Sequence, residues 1–330
     1  MLPTRIDAQA LPPPPGVIGS LRAGFDAIAG HIGLILMPLA LDLLLWLGPR
    51  LSINKLVQPV LQEVGKLAPT TGLAQSDVSA AADLFERFNL LAAVRTLPVG
   101  ISSLMSGRLP GASPLGIPPL LQVGSVGQLV FLLFVLTVTG WMLGGLYFRS
   151  VAGMVVTRPL AEAAPTAGRV VTQTIVYSFV WSLLLWLVGV PALFIVYVAS
   201  AINTFLGQGL LLFLAFVALW ILVPLFFSPH GIYLSRQNAL ASALAGFRLT
   251  RLTLPSSSLF VLLVFLVGMG LNFLWAVPAE DSWLALVGIL GHAFITTALL
   301  AASFIYYQDM SLWLQTVLER LRTGLPAQRG

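Results

Sequence analysis

Six long apolar runs, each about as long as a bilayer core is thick, limit this chain more than any other feature. They fall at about residues 31–49, 127–148, 174–200, 207–228, 257–278 and 283–305. Roughly 20 apolar residues in helical form cross the ~30 Å hydrocarbon layer. In that layer a chain must satisfy its own backbone hydrogen bonds, which helices do. The expected fold is therefore all-α, a polytopic membrane bundle of six transmembrane helices. The charge content agrees, because 9% charged residues is far below the roughly 25% of a water-facing domain. Pro38, Pro191 and Pro224 stand inside the first, third and fourth runs, where proline can kink a helix.

Arginines in the short loops set an orientation. Arg149, Arg158 and Arg169 follow the second run, and Arg236, Arg248 and Arg251 follow the fourth. The opposite loops hold no charge at 201–206, and Glu280 and Asp281 at 278–282. Both termini are expected to be cytoplasmic in a bacterial inner membrane. Residues 1–16 read as a Pro-stiffened, disordered cytoplasmic tail rather than a signal sequence. Residues 17–305 read as the membrane domain, and 306–330 as a cytoplasmic C-terminal segment.

One short sequence introduces three of the runs. Ser20-Leu-Arg-Ala-Gly-Phe25 precedes the first, Ser242-Ala-Leu-Ala-Gly-Phe247 the fifth, and a looser Ala164-Pro-Thr-Ala-Gly-Arg169 the third. The expectation is three parallel hairpin repeats, each preceded by an interfacial helix. The Ala-Gly pair would let each helix approach a neighbour closely. In the first of these helices Val17, Leu21, Phe25, Ile28 and Ile32 share a face, as a helix lying flat at an interface requires.

The first hairpin carries an extracytoplasmic insertion, 51–126. Ile53, Leu56, Val57, Val60, Leu61, Val64 and Leu67 form one helical stripe. Val78, Leu84, Phe85, Phe88, Leu91 and Val94 form a second, with Ser76 as its N-cap. Pro and Gly crowd residues 107–119, which read as irregular chain. The insertion reads as a packed cap, with an outer-leaflet or partner-binding surface as alternatives.

Ionisable groups at bilayer depth are costly and face the bundle. Asp42, Asn272 and His292 are expected at similar depths, where they could form one polar layer. Such a layer is either an interhelical hydrogen-bond clamp or a proton or ion relay. Gly140 and Gly144 form a GxxxG pattern that points to close helix packing, and Gly288 and Gly291 read likewise. Arg248 and Arg251 are candidate contacts to lipid headgroups. His31 and His230 are placed at inner boundaries, where interfacial solvation suffices.

The absent chemistry matters as much. With no cysteine, disulfides, thiolate metal sites and Cys nucleophiles are excluded. No phosphate loop, H-E-x-x-H or G-x-S-x-G occurs, so no catalytic residue, cofactor or metal is expected. A nucleic-acid partner is not expected either, since aromatic residues stand among apolar ones and not among lysines.

Phe226-Phe-Ser-Pro229, followed by Asn238-Ala-Leu-Ala-Ser-Ala-Leu-Ala-Gly-Phe247 and a new apolar run, resembles uncharacterised six-helix bacterial membrane proteins. These include the membrane domain associated with some glycerophosphodiester phosphodiesterases. The resemblance covers mainly residues 226–270 and implies a helical membrane fold without catalytic residues. The functional expectation is a non-enzymatic accessory, assembly or lipid-interacting membrane component, with membrane lipids and other membrane proteins as partners. The alternatives are a small-solute or ion transporter built on the Asp42–Asn272–His292 layer, and an intramembrane hydrolase.

Overall fold

The structure is a computed structural model that describes residues 13–71, 74–155 and 165–323. Most of the tail read over 1–16, the Arg158 loop and the chain end after 323 lie outside the described residues. In chain order the elements are α1 (Val17–Gly30), a 3-10 turn at Ile32–Ile35, α2 (Leu36–Leu47), β1 (Arg50–Ser52), α3 (Asn54–Thr71) and α4 (Gln75–Arg87). A 3-10 turn at Leu90–Val94, α5 (Met105–Arg108), β2 (Leu120–Gln122) and α6 (Val126–Val155) follow. Then come α7 (Ala167–Leu184), a π-helical stretch at Leu185–Gly189, α8 (Val190–Ile202), α9 (Thr204–Phe227) and α10 (His230–Leu234). The chain continues through α11 (Ala239–Leu252), α12 (Leu254–Trp275) and α13 (Ala285–Thr323).

Among the described residues, 5 helices are long and apolar enough to cross a membrane. The count reaches 6 if α1 and the chain Ile32–Leu47, bent by 95° at His31, act as one span. The architecture is thus all-α and multi-pass in character, apart from two three-residue strands. The last helix outruns its expected end at 305 and continues to Thr323.

The prolines act differently from one another. Pro38 lies in the first turn of α2, where its missing N–H has no intrahelical partner to lose. Pro191 follows the π-helical stretch. The wider turn there absorbs the carbonyl that Pro191 cannot satisfy. Pro224 is accommodated inside α9.

The chain forms two compact units. One comprises the chain to His31, Arg149–Leu266 and the chain from Ala298; the other comprises Ile32–Phe148 and Val267–Thr297. In the first unit, Phe227, Leu249, Phe260, Val261, Ala302, Tyr306, Tyr307 and Met310 form the core. The Phe260 and Tyr306 rings stack at 4.2 Å. Two of the Ala-Gly copies take the same form here. A β-carbon on Gly24 would stand 2.6 Å from the Ala298 carbonyl oxygen, and one on Gly246 2.7 Å from Ser228 Cα. Ser20 and Ser242, one turn earlier, are buried on the same faces. Ser and Gly four residues apart make a small-residue stripe that lets backbones meet. The third copy differs. It opens α7 directly, with no separate short helix among the described residues, and a β-carbon on Gly168 would meet nothing within 4 Å.

Asn side chains cap two helix starts in this unit. The Asn203 side chain accepts from Phe205 and Leu206 N–H at the α8–α9 turn, and that of Asn238 accepts from Ala241 N–H before α11. No residue in the most apolar window of Ala167–Ile202 is buried, against 56% for Ala285–Arg322. The α8–α9 hairpin therefore presents its apolar surface outward, while α13 is the enclosed helix.

In the second unit, β1 and β2 pair in parallel, Arg50 with Leu120 and Ser52 with Gln122, and so close the neck of the 51–126 insertion. Asn89 Oδ1 accepts from Leu51 and Leu91 N–H at 3.1 Å. Ile53, Leu90 and Val123 form a small core, joined by Leu56, Val57, Phe85 and Phe88 from the insertion and Leu129, Leu132 and Leu136 from α6. The base of the α3–α4 hairpin is therefore packed, while Val60, Leu67 and Leu84 are exposed. Two expectations are corrected here. Helix α4 starts one residue before Ser76, after Ala74, which makes no side-chain cap. The second stripe stops being α-helical at Phe88, because Asn89 diverts the chain into a 3-10 turn.

Candidate functional site

The buried face of α2 carries Leu41, Asp42, Leu45 and Trp46, and Asp42 is 0% exposed. Its carboxylate is saturated by one short segment. Ser103 Oγ donates to Oδ1 at 2.5 Å, Met105 N–H to Oδ1 at 3.0 Å and Leu104 N–H to Oδ2 at 3.1 Å. These backbone donors open α5, so Asp42 caps a helix of the insertion from a distant part of the chain. The network continues outward. Ser106 N–H donates to Ser103 Oγ at 3.0 Å, and Arg95 Nη1 donates to Ser106 Oγ at 3.0 Å.

The segment between Val94 and Leu104 is not helical, yet Val94, Thr96, Val99, Ile101, Ser103 and Leu104 are all buried. Side chains meet part of its backbone, as buried irregular chain requires. Thr96 Oγ1 donates to the Val99 carbonyl at 2.7 Å and Trp141 Nε1 to the Leu97 carbonyl at 3.3 Å. Gly140 and Gly144 make room for it. A β-carbon on Gly144 would stand 2.8 Å from Gly100 Cα, and one on Gly140 2.5 Å from Thr96 Cγ2. The GxxxG groove is thus filled, but by the irregular chain 94–100 and not by a second helix as expected. Gly140 lies roughly 21 Å along α6 from its start at ~1.5 Å per residue, so the insertion reaches halfway down that helix.

The expected polar layer assembles only in part. No hydrogen bond joins Asp42 to His292 or Asn272 among the described residues, and Asn272 is exposed. His292 is 8% exposed, and its Nε2 has no partner. Arg95 lies within charge–charge reach of both Asp42 and His292. Sequence reasoning missed Arg95, Ser103 and Ser106, because their relation to Asp42 depends on how a long insertion folds back. Gly288 and Gly291 pack against Trp275. Gly288 faces its backbone, and the indole covers Gly291, where a β-carbon would stand 2.7 Å from Cζ3.

The remaining candidates fall in the other unit. Arg248 and Arg251 are exposed on α11 beside exposed Leu244 and Phe247. His31 is exposed, and its Nδ1 lies 3.0 Å from the Ala27 carbonyl oxygen. His230 is corrected. It is buried, 2.9 Å from Ser303 Oγ, and stacks on Tyr307 at 5.3 Å. The aromatic residues Phe226 and Phe227 just before it were the signal for that burial. Nearby, Tyr177 OH pairs with Ser228 Oγ, and Ser242 Oγ donates to the Ser228 carbonyl at 2.6 Å. These bonds lock the Phe-Phe-Ser-Pro break to α11. Among the described residues no three His, Cys, Asp or Glu side chains group as a metal site would need.

No family model matches this chain, and no curated protein and no solved structure matches it either.

Proposed function

We propose that this chain is a six-span accessory protein of a bacterial inner membrane, without catalysis of its own, with both termini cytoplasmic and an outer insertion that folds back into the bundle. The saturated Asp42 carboxylate carries this reading. Three donors from residues 103–105 occupy it, which is what a clamp requires. A relay needs a group free to exchange its proton with a neighbour. The parallel repeat supports the six-span arrangement through the matching close approaches of Gly24 and Gly246. The resemblance of residues 226–270 to six-helix bacterial membrane proteins supports the compartment. Partners on this reading are membrane lipids and other membrane proteins.

One observation favours transport instead. His292 Nε2 is buried without a partner near the charge of Arg95, and a proton path would need such a group. Two measurements separate the readings. Mass spectrometry of the protein purified in mild detergent is expected to find a membrane protein held in fixed proportion. Reconstituted vesicles are expected to show no proton or ion flux that depends on Asp42 or His292. Flux lost in both Asp42→Asn and His292→Gln would overturn the accessory reading.

A further inference from the structure

Gly111 is the meeting point of three arginines. The Arg50 Nη2 donates to the Gly111 carbonyl at 2.8 Å. The Gly111 N–H donates to Glu280 Oε2 at 3.0 Å, and Glu280 Oε1 lies 3.9 Å from Arg108 Nε. A β-carbon on Gly111 would stand 3.9 Å from Arg87 Cζ. Leu109, at φ 50, turns the backbone after α5 so that Gly111 reaches this place.

The donors of this cluster exceed its acceptors. Arg50 is only 6% exposed, and its Nε has no partner; Arg108 Nη1 is buried and also has none. Arg108 Nη2 is used by the Pro278 carbonyl at 2.8 Å. A buried guanidinium N–H without an acceptor is costly, and guanidinium forks match phosphate and carboxylate oxygens. Burial pulls the Arg50 pKa down, Glu86 and Glu280 oppose this, and Arg87 adds to it.

What adjoins the cluster identifies the oxyanion. Residues 111–127 contain no charged side chain. Leu115, Ile117, Leu120 and Leu121 of this loop are exposed, and Leu120 is the strand partner of Arg50. A basic cluster edged by an exposed apolar loop suits a molecule with a phosphate at one end and acyl chains at the other.

We propose that Arg50, Arg87 and Arg108 bind the phosphate of a phospholipid headgroup, with its acyl chains against Leu115, Ile117, Leu120 and Leu121. The site rests on the membrane-embedded reading above, but not on the accessory role. The shared chemistry is a phosphate oxyanion, so free phosphate is the competing source.

The test uses the full chain in a neutral detergent. The probes are dioctanoyl phosphatidylglycerol, inorganic phosphate and uncharged dioctanoylglycerol. Phosphatidylglycerol is expected to bind saturably and dioctanoylglycerol not to bind. Arg87→Gln and Arg108→Gln are each expected to weaken phosphatidylglycerol binding at least tenfold, while Lys55→Gln leaves it unchanged. Arg87 is exposed at the end of α4, so Arg87→Gln should keep the wild-type melting temperature and decides the matter if Arg108→Gln folds poorly. Inorganic phosphate that binds at mM levels and is lost in Arg87→Gln supports the oxyanion site. Phosphate binding without lipid binding overturns the lipid as its source. Equal phosphatidylglycerol binding by wild type and Arg87→Gln, or equal binding of dioctanoylglycerol, overturns the site. Neither result touches the co-purification test of the accessory role.

Discussion

Replacing Asp42 by leucine should loosen the second unit, and replacing it by asparagine should do so much less. Leucine removes the acceptor from Ser103 Oγ, Leu104 N–H and Met105 N–H. The Ser103 hydroxyl can turn to another acceptor, but the two backbone donors are fixed by the start of α5. A buried donor left unpaired costs about 1–3 kcal/mol, so two cost about 2–6 kcal/mol. Asparagine keeps one oxygen, which can hold Ser103 and Met105 as Oδ1 does now. Its amide then faces Leu104 N–H, and the loss is about 1–3 kcal/mol. Thermal unfolding of each variant in the same detergent measures the order. A cysteine at Val99, which is 0% exposed, reports the local opening. It should react slowly with a maleimide in the wild type and Asp42→Asn backgrounds and quickly in Asp42→Leu. Equal melting temperatures and equal labelling rates for wild type and Asp42→Leu would refute the clamp.

The Ala-Gly copies give a second contrast. Gly24→Ala and Gly246→Ala should each destabilise the first unit by about 1–3 kcal/mol, in the range of overpacking, because the new methyl meets backbone atoms closer than 3.0 Å. Gly168→Ala should be neutral or stabilising by up to about 1 kcal/mol through helix propensity, and unfolding of the three variants side by side checks this. At the insertion, Gly144→Leu should displace residues 94–100 and raise labelling of a Val99 cysteine, whereas Gly127→Leu, at an open position, should not. For topology, single cysteines at Ser235 and Ser282 should react with an impermeant maleimide from opposite sides of the membrane; reaction of both from one side rejects the orientation.

The sequence by itself determined the all-α, multi-helix apolar character and where each long helix lies in the chain, but not where every helix ends, since α13 runs on to Thr323. Hydropathy and length are local, additive properties, and the bilayer reads them one segment at a time. Small residues were legible too. The Ala-Gly pairs at 23–24 and 245–246 stand out as a repeat before two apolar runs, whereas the burial of Ser20 and Ser242 on the same faces belongs to the folded structure. Only the tertiary structure decided what those features meet. Gly140 and Gly144 receive a loop rather than a helix, since a groove records the room available and not the element that fills it. Asp42 was recognisable as a buried acid, but its partners are Ser103, Leu104 and Met105. Two of those bonds come from backbone N–H groups, which every non-proline residue carries, so no residue type could announce them. The three arginines at Gly111 were hidden for a related reason. Arg50 stands just before the insertion and Arg87 and Arg108 far apart within it, and a left-handed turn at Leu109 with the pairing of Arg50 and Leu120 gathers them.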